Sequence, residues 1–110
     1  MDISEFKGLV EDWQKDSLKV LENKAHDYAG GSTILSNFLK TANMCNIQPE
    51  KVFEVMLSIK MCRLVELLGG KTPRNESVSD TIDDSINYLY LCKAYLVEKA
   101  NKGKINKHEA

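Results

Sequence analysis

Asp80, Asp84 and Asn87 fall at steps of four and three in a stretch, residues 76–88, whose apolar members Val78, Ile82, Ile86 and Leu89 repeat with a helical period. On a helix the three polar residues form a second stripe beside the apolar one. Two carboxylates in line at i and i+4 can share one metal ion or one polar cavity. Leu91 and Tyr95 continue the line from Asn87 as apolar residues, whereas a solvated face stays polar along the whole helix. An acidic first turn that complements the helix dipole accounts for Asp80, but Asp84 and Asn87 lie too deep for that effect.

Two further clusters of polar residues interrupt apolar patterns. Lys60 and Arg63 break a run from Val52 to Leu68 that is otherwise hydrophobic around most of its circumference, and Lys24, Asp27 and Tyr28 end the apolar line of the first long helical stretch. An unpaired charge in an apolar interior costs several kcal/mol. Either the clusters neutralise one another, with Lys60 and Arg63 facing Asp80 and Asp84, or they line a ligand cavity. The fitting ligand is phosphorylated and nucleotide-like: lysine and arginine clamp phosphate oxygens, and carboxylates hold a hard cation such as Mg²⁺ with several waters retained. Glu76, Asp80, Asp83 and Asp84 are the candidate Mg²⁺ ligands, and Asp80 and Asp84 the candidate catalytic pair. If the ligand is hydrolysed, the ion neutralises developing charge and lowers the pKa of an attacking water. Tyr28, Phe38 and Tyr88 either stack on a base or serve as core.

The elements that must position these residues are all helices. Phe6, Val10, Trp13, Val20 and Leu21 predict a helix over 3–28 with Ser4 as its N-cap, stopped by Gly30-Gly31. Ile34, Leu35, Phe38, Leu39 and Ala42 predict a second over 33–44. A third, over 49–68, opens with Pro49, whose missing N–H does no harm in a first turn, and closes at Gly69-Gly70. The fourth covers 77–101, and residues 103–110 read as a polar tail. No strand alternation or internal repeat appears. The expected fold is a single all-α domain over 1–102, a four-helix bundle, and the apolar excess of residues 52–68 predicts that a second copy completes it as a homodimer or higher homo-oligomer.

At 110 residues the chain is long enough for one core, with 43% hydrophobic and 28% charged residues typical of a globular domain. A net charge of −1 without a basic block argues against a protein that grips duplex nucleic acid by neutralising many phosphates. Cys45, Cys62 and Cys92 are odd in number and lack C-x-x-C spacing, so they read as reduced thiols of a cytoplasmic protein rather than a disulfide framework or zinc site. The acidic start, Met1-Asp2-Ile3-Ser4-Glu5, predicts no signal peptide, and no segment is apolar enough to span a bilayer. His26 and His108 have no partner at ligand spacing. Gly30-Gly31-Ser32 lacks the pattern of a phosphate loop.

The order Lys24-Ala25-His26-Asp27-Tyr28-Ala29-Gly30, Asn37-Phe38, Lys60-Met61-Cys62-Arg63-Leu64, then Glu76 to Thr81 with Asp83, Asp84, Asn87 and Tyr88, resembles the nucleotide modification associated domain. That family is small, all-α, common in phage genomes and similar to MazG-like nucleotide pyrophosphohydrolases. The resemblance spans roughly residues 20 to 96 and implies a nucleotide ligand, with Lys24, Asp27, Tyr28, Asn37, Lys60, Arg63 and Asn87 as contacts. It also implies Mg²⁺-dependent release of pyrophosphate from a nucleoside triphosphate. The chain departs from the MazG-like pattern where an E-x-x-E metal pair is replaced by Lys60-x-x-Arg63, and two cations there favour direct phosphate binding. Three classes stay open: a pyrophosphohydrolase-like enzyme, a binder that sequesters a nucleotide or nucleotide signal, and a structural helical dimer with internal salt bridges.

Overall fold

A computed structural model describes residues 1–27 and 34–103, the side chains of residues 25–27 excepted. Among the described residues there are four helices and no strand: α1 (Ile3–Asp27), α2 (Ser36–Cys45), α3 (Pro49–Leu68) and α4 (Val78–Lys102). This is the all-α architecture expected from the periodicity. The chain divides into two units, Met1–Ile34 and Leu35–Ala110. The first holds α1, and the second holds α2, α3 and α4, in which α3 packs against both of its neighbours.

In the first unit, Asp2 rather than Ser4 caps α1. Its carboxylate accepts the Glu5 N–H at 2.8 Å and its carbonyl accepts the Phe6 N–H at 3.1 Å. A carboxylate at this position adds full negative charge to the hydrogen bond at the positive helix end, which a Ser4 hydroxyl cannot supply. The α1 residues Phe6, Trp13 and Val20 each leave much of their surface exposed.

In the second unit, α2 starts at Ser36, three residues later than the pattern suggested, and Thr33 lies outside the described residues. It ends at Asn46, which takes the left-handed conformation at φ 53°, a position that asparagine tolerates better than other side chains. Pro49 opens α3 behind an extended Gln48. The N–H groups of Gly69, Gly70 and Lys71 bond to the Val65, Leu67 and Glu66 carbonyls, and Gly70 turns the chain with φ 104°. Phe38, Phe53, Tyr88 and Tyr95 join the three helices: Phe38 stacks on Phe53 at 4.4 Å, meets Tyr88 edge-on at 6.0 Å, and Phe53 tilts against Tyr95 at 5.8 Å. Such ring pairs add about 0.5–1.5 kcal/mol each beyond the area they bury.

The α3–α4 seam decides which faces turn inward. On α3 the inward line is Phe53, Met56, Lys60, Leu64 and Leu67, spaced as one helix face. The periodicity suggested burial around most of this helix. Among the described residues Val52 is buried as well, while Val55, Ile59, Val65 and Leu68 on the other sides are exposed.

The rotation of α4 also departs from its apolar pattern. Ile82, Ile86 and Leu89 are exposed, while Thr81 and Ser85 are buried. Thr81 donates its hydroxyl to the Ser77 carbonyl at 3.0 Å, and Ser85 to the Thr81 carbonyl at 2.7 Å. These small side chains are therefore buried without an orphaned hydroxyl.

Candidate functional site

Lys60 sits midway along the inward line of α3 and needs anions on the facing helix. The Nζ lies 2.9 Å from Glu76 Oε1 and 2.9 Å from Asp84 Oδ2. The Lys60 side chain is 17% exposed, and those of Glu76 and Asp84 are 20% and 40% exposed, so the cluster is half inside the protein. Burial alone would lower the Lys60 pKa, but the hydrogen bonds and charges of both carboxylates outweigh it and hold it above the usual lysine value. Lys60 is therefore a fixed positive charge at neutral pH.

Arg63, one turn on, approaches the same glutamate. Its Nε is 2.9 Å from Glu76 Oε2, and Nη2 donates to the Glu76 carbonyl at 3.3 Å. The buried Nε–H does not point at a hydrogen-bond acceptor despite the short separation, so this ion pair is coulombic rather than directed.

The acidic stripe divides. Asp80 is the third residue of a capping box: its N–H donates to the Ser77 hydroxyl at 3.0 Å, and its carboxylate accepts the Ser77 N–H at 3.4 Å. It is exposed, as is Asp83, while Asp84 faces Lys60. Asn87 is only 3% exposed, and its Oδ1 has no hydrogen-bond partner. It lies about 4.5 Å farther along the helix axis than Asp84.

Of the residues singled out by sequence, the second unit thus brings together Lys60, Arg63, Glu76 and Asp84. Asn37 is exposed on α2. Lys24 is half-buried on α1 in the first unit, and the Asp27 side chain and all of Tyr28 lie outside the described residues. The pairing expected for Lys60 and Arg63 is realised with Glu76 in place of Asp80, because the Ser77 cap engages Asp80.

The donor set does not fit Mg²⁺ in this arrangement. Glu76 and Asp84 are both bonded to the Lys60 ammonium, Asp80 closes the capping box, and a cation drawn to Glu76 and Asp84 would meet Lys60 first. Among the described residues no group of three His, Cys, Asp or Glu side chains is placed to hold a metal ion.

Two features escaped the sequence reading. A cavity of about 200 Å³ opens beside the C-terminal turn of α3 and is lined by Arg63, Glu66, Lys71, Thr72, Arg74 and Asn75, among others. Its loop residues have no periodicity to reveal them, although two cations in a five-residue loop were visible. At the other end of the seam, Tyr95 donates to Glu50 Oε1 at 2.7 Å and Lys99 reaches Glu50 Oε2 at 2.6 Å. Bonds from Lys99 and Tyr95 hold the Glu50 carboxyl down at about 2, and burial together with the bond to Glu50 pushes the Tyr95 phenol up to about 12.

No helix among the described residues is long and apolar enough to cross a membrane. No family model, curated protein or solved structure matches the chain.

Proposed function

We propose that this chain binds a phosphorylated, nucleotide-like ligand at the α3–α4 seam and holds it without turnover. The observation that carries the reading is Asn87, a 3% exposed amide whose Oδ1 has no partner. A buried polar atom left unpaired costs about 1–3 kcal/mol. An N–H or O–H of a nucleobase or sugar supplies the missing donor. Lys60, whose Asp84 partner is one turn before Asn87 on α4, and Arg63 one turn further along α3 give the cationic side of such a site. The ordered residues that resemble the nucleotide modification associated domain support the same ligand class.

Pyrophosphate release with Mg²⁺, the activity which that resemblance implies, requires Glu76, Asp84 and Asp80 to leave the partners described above. Binding without hydrolysis asks for no such rearrangement, so it is the reading this geometry supports best. The proposal includes a second copy of the chain as partner, supported by the exposed apolar residues Val55, Ile59, Val65 and Leu68 of α3 and Ile82 and Leu89 of α4.

The test is Asn87→Leu, a change that keeps the number and branching of the side-chain heavy atoms and removes the unpaired oxygen. The variant is expected to melt higher than wild type without ligand, and to lose nucleotide affinity in calorimetric titrations with a panel of ribo- and deoxyribonucleotides. A variant that binds every nucleotide as wild type does, or a wild type that binds none, refutes the reading.

A further inference from the structure

The cavity at the α3–α4 connection carries an excess of positive charge in a chain whose net charge is −1. Arg63, Lys71 and Arg74 line it. The one lining carboxylate, Glu66, is already 3.1 Å from Lys71. Arg74 has no hydrogen bond or ion pair among the described residues, and Arg63 is turned toward Glu76 on the seam side. With Lys71 paired to Glu66 and Arg63 to Glu76, the charge left uncompensated at this cavity of about 200 Å³ is that of Arg74, and an anion beside it meets a positive field from all three cations.

The surrounding backbone fits an anion rather than opposing one. The C-terminal end of a helix carries partial negative charge, but three of the last α3 carbonyls are engaged by the N–H groups of Gly69, Gly70 and Lys71. Those bonds, the Gly70 turn and Pro73 fix the path of the loop, so its side chains are presented from a defined backbone. Thr72 and Asn75 add a hydroxyl and an amide donor, giving both charged and neutral donors on one cavity wall.

We infer that this cavity, between the last turn of α3 and residues 71–75, is a phosphate subsite. Arg63, Lys71 and Arg74 supply charge, and Thr72 and Asn75 supply directed donors. The inference rests on the nucleotide reading in one respect: Arg63 borders both the seam and the cavity, so it is shared between the two. Phosphate oxygens of a nucleotide and of inorganic pyrophosphate present the same chemistry to these side chains. The two sources are separated by experiment.

The variants are Lys71→Gln, Arg74→Gln and the double substitution, all at exposed positions. Calorimetric titrations at low salt use ATP, adenosine and inorganic pyrophosphate, and thermal melts confirm that the variants fold as wild type does. ATP and pyrophosphate affinities are expected to fall about tenfold with each substitution, to weaken as salt is added, and adenosine binding to stay as in wild type. Pyrophosphate binding that depends on Arg74, with no binding of ATP or adenosine, keeps the subsite and removes the nucleotide reading. ATP binding that is lost in Asn87→Leu but unchanged in the double variant keeps the nucleotide reading and overturns the subsite. Absence of both ATP and pyrophosphate binding overturns it as well.

Discussion

Replacing Lys60 with Met keeps the aliphatic stem and removes the charge, so it isolates what the ammonium contributes to the seam. Two charge-assisted hydrogen bonds are lost, to Glu76 and to Asp84. Bonds of this kind contribute about 1.5–3 kcal/mol each where water is excluded. The Asp84 side chain is 40% exposed, which places its share in the surface range of about 0–1 kcal/mol. Glu76 is 20% exposed and keeps Arg63, so it is not left as an isolated buried anion. The expected loss is about 2 kcal/mol, well short of the 3–5 kcal/mol typical of orphaning a fully buried charge. Urea unfolding with an unchanged slope gives the free energy directly. A cycle with Asp84→Asn should show a coupling of about 0.5–1 kcal/mol between the two positions. A Lys60→Met protein as stable as wild type, with no coupling to Asp84, would refute the claim that these ion pairs hold α3 against α4. The same proteins titrated with nucleotide separate roles: reduced affinity beyond what the stability loss explains marks Lys60 as a ligand contact.

Further outcomes are expected for Glu50, Tyr95, Gly70 and the assembly state. Tyr95→Phe and Lys99→Gln each release a bond that holds Glu50 down, so the Glu50 carboxyl should titrate above about 2 when followed by carbon NMR. Because the folded pKa is depressed, the Glu50 contribution is present above its unfolded value and is lost as pH falls from about 4.5 to about 2, worth about 1 kcal/mol after discounting for solvent screening. The Tyr95 contribution has the opposite sense, present below about pH 10 and lost as pH rises toward about 12, and alkaline melts of Tyr95→Phe should lack that decline. Gly70→Ala places a side chain at φ 104° and should cost about 1–3 kcal/mol in thermal unfolding. Light scattering should give an assembly larger than one chain, and Ile59→Lys with Val65→Lys should reduce it to a monomer; a wild-type monomer at micromolar concentration removes the second copy from the proposal.

The parts of the fold legible in the sequence were those signalled by backbone chemistry. Pro49 and Gly69-Gly70 bound α3 where expected, because a missing N–H and a positive φ are local requirements that one residue type meets. The helix expected from residue 77 starts at Val78, with Ser77 as its cap, a role not assigned from the sequence alone. Capping by Asp2 was harder to read, since Asp2 and Ser4 are both good caps two residues apart and only the helix start chooses between them. In the site, the charges that interrupt the α3 run pointed to Lys60 and Arg63 as needing either anions or a ligand, and both lie against carboxylates. Which anions answer them was not legible: Asp80 and Glu76 are both near the start of α4, and the hydrogen bond that commits Asp80 to Ser77 is what leaves Glu76 to the cations.

The rotation of α4 follows from the same competition. An apolar stripe of Ile82, Ile86 and Leu89 is the usual predictor of a buried face, yet turning it onto α3 would place isoleucine against the Lys60 ammonium and carry Asp84 away from it. Successive residues on a helix are separated by about 100°, so stripes one residue apart cannot both face the seam. The two demands compete for one rotation: an orphaned ammonium costs several kcal/mol, while the three apolar side chains are each worth about 1.5–3 kcal/mol only when burial is complete. Thr81 and Ser85 therefore take the inward positions, with hydroxyls satisfied by carbonyls of their own helix. The charge on α3 thus has two consequences at once: it assembles Arg63, Glu76 and Asp84 in the seam, and it leaves the apolar stripe of α4 exposed. The seam cluster and the exposed apolar stripe follow from one choice of helix rotation, which is why Lys60→Met is the substitution whose effects on stability, ligand affinity and oligomeric state should be measured together.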